Sequence, residues 1–111
     1  MTNNRKNLVL DIVRNDKTFE LSKVHDCWIG KCIHCNSQIT VSPEGKTLSA
    51  TIEHIVPQSH GGTDDLKNLA LACRSCNNTK GRKIDKLSVR HPKYLEVIEM
   101  LLKKRQDREL V

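Results

Sequence analysis

Apolar positions along this chain fall in short blocks whose spacing changes from helical to strand-like and back. Leu8, Val9, Ile12 and Val13 recur at helical spacing, and so do Leu21, Val24 and Trp28, which predicts two short helices within residues 1–28. Ile39-Thr40-Val41 and Thr51 to Ile55 read as strands around a turn at Ser42-Pro43-Glu44-Gly45-Lys46. Pro57 ends the second of them, and Ser59 to Asp65 has the composition of a loop. Leu69 to Ala72 is long enough for one more strand. A helix from about Arg74 to Lys83 follows, with Gly81 in its last turn. Pro92 then suits the first turn of a helix over 91–108, in which Tyr94, Leu95, Val97, Ile98, Leu101 and Leu102 form one apolar stripe. Lys103, Lys104 and Arg105 sit towards its C-terminal end, where the helix dipole favours cations, and the helix is expected to pack on the domain.

Length narrows this to one domain spanning 1–111, with a helical extension over 1–28. Leu, Ile, Val and Phe make up about a quarter of the residues, enough for a folded chain. Phe19, Trp28 and Tyr94 are its only large rings, so the core should be small and leans on something besides burial. No apolar run approaches the ~18 residues of a membrane span, which removes transmembrane proteins. No heptad pattern or internal repeat is present, and no signal peptide is expected from the first fifteen residues. A cytoplasmic setting follows, and with it five cysteines that are thiols or thiolates rather than disulfides. The formal charge of +6 favours polyanion partners.

Cys32-x-x-Cys35 and Cys73-x-x-Cys76 are two copies of the turn that brings a pair of sulfurs to one tetrahedral ion, and Zn²⁺ is the expected occupant. With four protein ligands the ion has no open position, so it contributes folding energy and not chemistry. Cys27 is expected to be an ordinary buried or half-buried residue, and His25 and His34 are the reserve ligands. The 37 residues between the pairs must hold folded structure of their own.

Polar residues fit for chemistry lie in that interval or just past it. Cutting a phosphodiester needs a base for water, a cation to offset charge on the leaving oxygen, and something to orient the base. His54 is the side chain whose ordinary pKa lies near neutrality. Glu53 and Asn77 offer hard oxygens suited to Mg²⁺ or Mn²⁺, with Asn78 the alternative to Asn77. Neighbours on a regular strand point to opposite faces, so Glu53 and His54 share a site only if the strand ends or bulges there. Lys80, Arg82, Lys83, Lys86 and Arg90 cluster against a single Asp85, a run suited to phosphate contact, and His60 is expected to be a solvent-exposed loop residue.

The segment Glu53-His54-Ile55-Val56-Pro57-Gln58-Ser59-His60-Gly61-Gly62-Thr63, then Asn68-Leu69, then Cys73-Arg74-Ser75-Cys76-Asn77-Asn78-Thr79-Lys80-Gly81, resembles the HNH nuclease family. The shared features are an acid–His pair, a Pro, a Ser, two Gly, an Asn-Leu, a Cys-x-x-Cys-Asn and a Lys-Gly in this order. They run from residue 32 to 81, a little under half the chain. The resemblance implies a zinc-pinned ββα-metal core over 29–83, and with the helices that spacing predicts on either side the fold class is α+β. It implies DNA hydrolysis, with His54 as general base and Asn68 tethering the loop that orients it. Glu53 and Asn77 would hold the catalytic cation, and Lys80, Arg82 and Lys83 would grip the backbone of double-stranded DNA. Position 53 is Glu where Asp is frequent, and position 77 is Asn where some relatives have His, a change pointing to Mg²⁺ or Mn²⁺. Two other functions remain open at this stage: a catalytically silent zinc module that binds nucleic acid, and an RNA-directed nuclease. A chain with one such site nicks one strand, and double-strand cleavage requires a dimer or two encounters.

Overall fold

The computed structural model describes residues 4–110. The first helix, α1 (Asn4–Arg14), buries Val9, Ile12 and Val13, the stripe that predicts it. Asp16 then turns the chain by accepting hydrogen bonds from the Thr18 backbone (2.8 Å) and hydroxyl (2.7 Å).

The second predicted helix is not formed. In its place β1 (Glu20–Ser22) and β2 (Cys27–Lys31) pair antiparallel, with Leu21 opposite Trp28. Two observations explain the difference. Asp26 adopts a left-handed φ of 50°, which breaks a helix and closes a hairpin. Leu21 and Val24 are 49% and 88% exposed, so the spacing that suggested a buried face marks none. A third strand, β3 (Gln38–Val41), pairs with β2 and completes the sheet. Gly30 of β2 lies against the Phe19 ring, which any Cβ there would penetrate.

The predicted strands at 39–41 and 51–55 therefore belong to different sheets. The second is β4 (Thr51–His54), which pairs antiparallel with β5 (Leu69–Ala72), Glu53 opposite Ala70 and His54 opposite Leu69. Every residue of β5 is buried, as its unbroken apolar run requires. Between β4 and β5 the chain makes two 3₁₀ turns, Gln58–His60 and Leu66–Asn68. α2 (Arg74–Lys83) follows β5 at once, capped by the Cys73 sulfur, so β4, β5 and α2 form a ββα unit.

The last helix, α3 (Pro92–Asp107), starts at its proline and buries Tyr94, Ile98, Leu101 and Arg105. Its basic end works differently from the dipole expectation. Lys104 Nζ donates to the His34 carbonyl (3.2 Å), and Arg105 Nε donates to the carbonyls of Leu66 (3.0 Å) and Leu69 (2.9 Å). Just beyond the helix, Arg108 donates to the carbonyls of Lys31 and Cys32 and to Asn36 Oδ1 (2.7 Å). These cations add donors to carbonyls of the first cysteine turn and of the start of β5, and so fix α3 on both. One apolar cluster runs through Val9, Ile12, Phe19, Ile39, Val41, Ile55, Leu71, Ile98 and Leu101, joining both sheets to α1 and α3. Among the described residues the result is a small α+β fold of three helices and two small sheets. Among the described residues no helix is long and apolar enough to cross a membrane.

Candidate metal centre and His54 cleft

Cys32 follows directly on β2, and Asn36, at a left-handed φ of 63°, turns the chain back after Cys35. Cys73 and Cys76 stand at the start of α2. The four Sγ atoms lie within 4.8 Å of one another, with Cys35 and Cys73 4.0 Å apart. A tetrahedral Zn²⁺ with four Zn–S bonds has S···S edges of ~3.8 Å, so the set fits a thiolate-bound ion. Backbone amides already point at the sulfurs: His34 and Cys73 donate to Cys32 Sγ, and Cys76 donates to Cys73 Sγ. The thiols are not equivalent. Ser37, with its hydroxyl 3.0 Å away, holds Cys35 down to about 6, whereas burial pushes Cys32 up. Burial and the neighbouring thiols raise Cys76 further. Cys35 therefore gives up its proton more readily than Cys32 or Cys76, and an arriving ion displaces the protons of the thiols it binds. Cys27 is buried apart from this group, as expected of it.

His54, the last residue of β4, opens onto a cleft of about 350 Å³ lined by Asn4, Arg5, Leu8, Ile52, Gln58 and Asp64. Its Nε2 lies 2.8 Å from Asp64 Oδ1, with the side chains 24% and 63% exposed. An ionised carboxylate only accepts hydrogen bonds, so in the neutral ring the proton sits on Nε2 and the lone pair on Nδ1. Asn68 fixes the frame. Its Oδ1 accepts from the Val56 amide (2.8 Å), and its Nδ2 donates to the carbonyls of Val56 (3.0 Å) and Thr63 (2.9 Å). One amide thus ties the residues after His54 to the loop that carries Asp64. Gly62 lets that loop close, since a side chain there would collide with the Val56 carbonyl.

Glu53 faces the other way. It is 1% exposed, with Oε1 3.1 Å from His34 Nε2 and Oε2 2.9 Å from Lys80 Nζ. Lys80, itself 3% exposed, also reaches Asp85 Oδ1 (2.8 Å) and the His54 carbonyl (3.2 Å). On the same side Asn77 Nδ2 donates to Thr51 Oγ1 (2.9 Å) and the Ile52 carbonyl (3.3 Å), tying α2 to β4. A Mg²⁺ or Mn²⁺ ion needs open oxygens and room for its own waters. Glu53 offers neither, because its oxygens are engaged and an ammonium already stands beside it. Among the described residues no second group of three His, Cys, Asp or Glu converges on a point. The residues as arranged do not fit a catalytic cation at Glu53.

Residues 32–83 match the HNH endonuclease family model. The likeness to HNH endonucleases rests on that segment. The match spans both cysteine pairs, β4, β5 and α2, and covers just under half of the chain. Searches of the curated proteins and of the solved structures gave no match.

Within the matched segment the two cysteine pairs come together, and His54 and Asn68 meet through the Val56–Thr63 tether. Glu53 and Asn77 stand on the opposite face of β4 from His54. Lys80, grouped with Arg82 and Lys83 in the sequence as a phosphate contact, is instead a buried ion-pair partner, while Arg82 and Lys83 are exposed. His34 is bonded to Glu53 and stands outside the cysteine cluster. His60 is half-buried and packs edge-on against Tyr94 with ring centres 4.8 Å apart, in place of the expected solvent exposure. Sequence reasoning missed Asp64 and Arg5 altogether. Asp64 is one of two adjacent aspartates in a loop, and nothing in the sequence distinguishes it from Asp65. Arg5 lies outside the HNH segment, and only the packing of α1 brings it to the cleft.

Proposed function

We propose that this protein is an endonuclease that hydrolyses DNA phosphodiester bonds with His54 as general base. The observation that carries the reading is the 2.8 Å His54–Asp64 pair at the mouth of an open cleft. Asp64 holds the tautomer in which Nδ1 can take a proton from water, and it stabilises the imidazolium that results. Asn68 is a positioning residue that keeps the Asp64 loop against the end of β4. Among the described residues Arg5 is the only Lys or Arg lining the cleft, and it is suited to a phosphate oxygen. Arg82 and Lys83, exposed on the last turn of α2, add backbone contacts that carry no base code.

Zn²⁺ is the ion proposed for Cys32, Cys35, Cys73 and Cys76. When bound it supplies a structural cross-link between the end of β2 and the start of α2. The test is incubation of the zinc-loaded protein with supercoiled plasmid and with structured RNA, in buffers containing Mg²⁺ or Mn²⁺. Nicking of the plasmid that disappears in His54→Ala supports the reading.

The buried Glu53–Lys80 pair favours a second reading, a catalytically silent zinc module that binds nucleic acid. There Glu53, His54 and Asn77 are scaffold. That reading predicts salt-dependent binding to plasmid with no strand broken in either metal.

A further inference from the structure

We propose that the Lys80 ammonium is the resident counter-cation of Glu53, occupying within the fold the place at the end of β4 that the family resemblance gives to a divalent ion. An ammonium has three donors. Here they are matched by Glu53 Oε2 at 2.9 Å, Asp85 Oδ1 at 2.8 Å and the His54 carbonyl at 3.2 Å. The second Glu53 oxygen is taken by His34 Nε2. No oxygen of this carboxylate is left pointing at solvent.

Bringing a hydrated Mg²⁺ to Glu53 would expel Lys80. That would leave Asp85 and the carbonyl of His54 without their shared donor. The lysine therefore does two things that a mobile ion would do only on binding. It neutralises the buried carboxylate, and it joins the last residue of β4 to α2 and to the turn after it. His34 extends the same chain of contacts into the first cysteine turn, so the Glu53 face is a closed network running from the metal centre to the backbone of His54.

The experiment uses zinc-loaded full-length protein with ¹⁵N-labelled lysine, observed by NMR during titration with Mg²⁺. A solvent-protected Lys80 ammonium resonance is expected, unmoved by millimolar Mg²⁺. Absence of a protected resonance, or a saturable shift of it on adding Mg²⁺, overturns the proposal. A second arm measures Mn²⁺ binding by electron paramagnetic resonance in the wild type and in Glu53→Gln. Equal affinities support it, and a loss of about tenfold or more in the variant overturns it. Neither arm uses cleavage, so the outcome is independent of the plasmid assay and the two proposals can fail separately.

Discussion

The two faces of β4 put adjacent residues to opposite uses. Glu53 turns inward and is sealed by Lys80 and His34, whereas His54 turns outward into a cleft with a single carboxylate partner. One peptide bond separates a buried charge that is fully partnered from a half-buried ring that faces an open cleft. The strand alternation that places them apart is a property of any regular β-strand. The lesson is that an acid–His pair in a sequence need not be a joint site in the fold. The inward member can brace the strand that the outward member uses.

Removing the Zn²⁺ proposed for the four cysteines should erase the comparison, because both faces depend on the cysteine turns. Cys32 and Cys73 fix the ends of β2 and β5, and His34 between Cys32 and Cys35 supports Glu53. Structural Zn²⁺ sites contribute on the order of 10 kcal/mol in small zinc-finger peptides. Chelation is expected to abolish the cooperative unfolding transition seen by circular dichroism, with recovery on adding Zn²⁺ back. Because protons compete for the thiolates, and Cys32 and Cys76 hold theirs above the ordinary range, metal affinity should fall as pH falls.

His54→Ala should affect the outward face alone. We expect a loss of ~10²–10⁴-fold in nicking rate, the range for a general base. The denaturation midpoint should stay where it is, since the ring is in a cleft and not in the core. A variant that nicks at the wild-type rate would remove His54 from the chemistry.

Lys80→Met should do the reverse. It leaves Glu53 buried without a cation, a change that costs about 3–5 kcal/mol when one partner of a buried pair is removed. The double variant Glu53→Met/Lys80→Met should recover much of that loss in a urea titration of the zinc-loaded protein, because two apolar side chains need no counter-charge. If the single variant is as stable as the wild type, the inward face is not the closed network described.

Much of this architecture was legible in the sequence. The residues that define α2 and β5 and the stripe of α1 are those their spacing indicates, and the cysteine turns were plain from local spacing alone. The first hairpin was not, because Leu21, Val24 and Trp28 mimic a helical stripe while the decisive feature, the left-handed Asp26, has no unique sequence mark. The partners of Lys80 were illegible for another reason. A lysine in a basic run looks solvated until tertiary structure sets a glutamate 27 positions earlier against it. Local periodicity finds elements, but charge pairing across elements depends on how they pack.

Arg5→Ala should give the smallest effect and the most informative one about the outward face. α1 is anchored through Val9, Ile12 and Val13, so losing an exposed side chain in its first turn leaves the fold intact. A single Arg–phosphate contact is worth ~1.5–3 kcal/mol at most when desolvated and less at an open cleft, so a rise in KM of about tenfold is expected. The dependence of binding on salt should flatten by about 0.9 in the slope of log K against log salt, one phosphate contact's share. kcat should hold, because Arg5 is assigned to substrate binding and not to proton transfer. A fall in kcat at constant KM would instead put Arg5 on charge that develops during the reaction, and the outward face would then hold its own cation just as the inward face does.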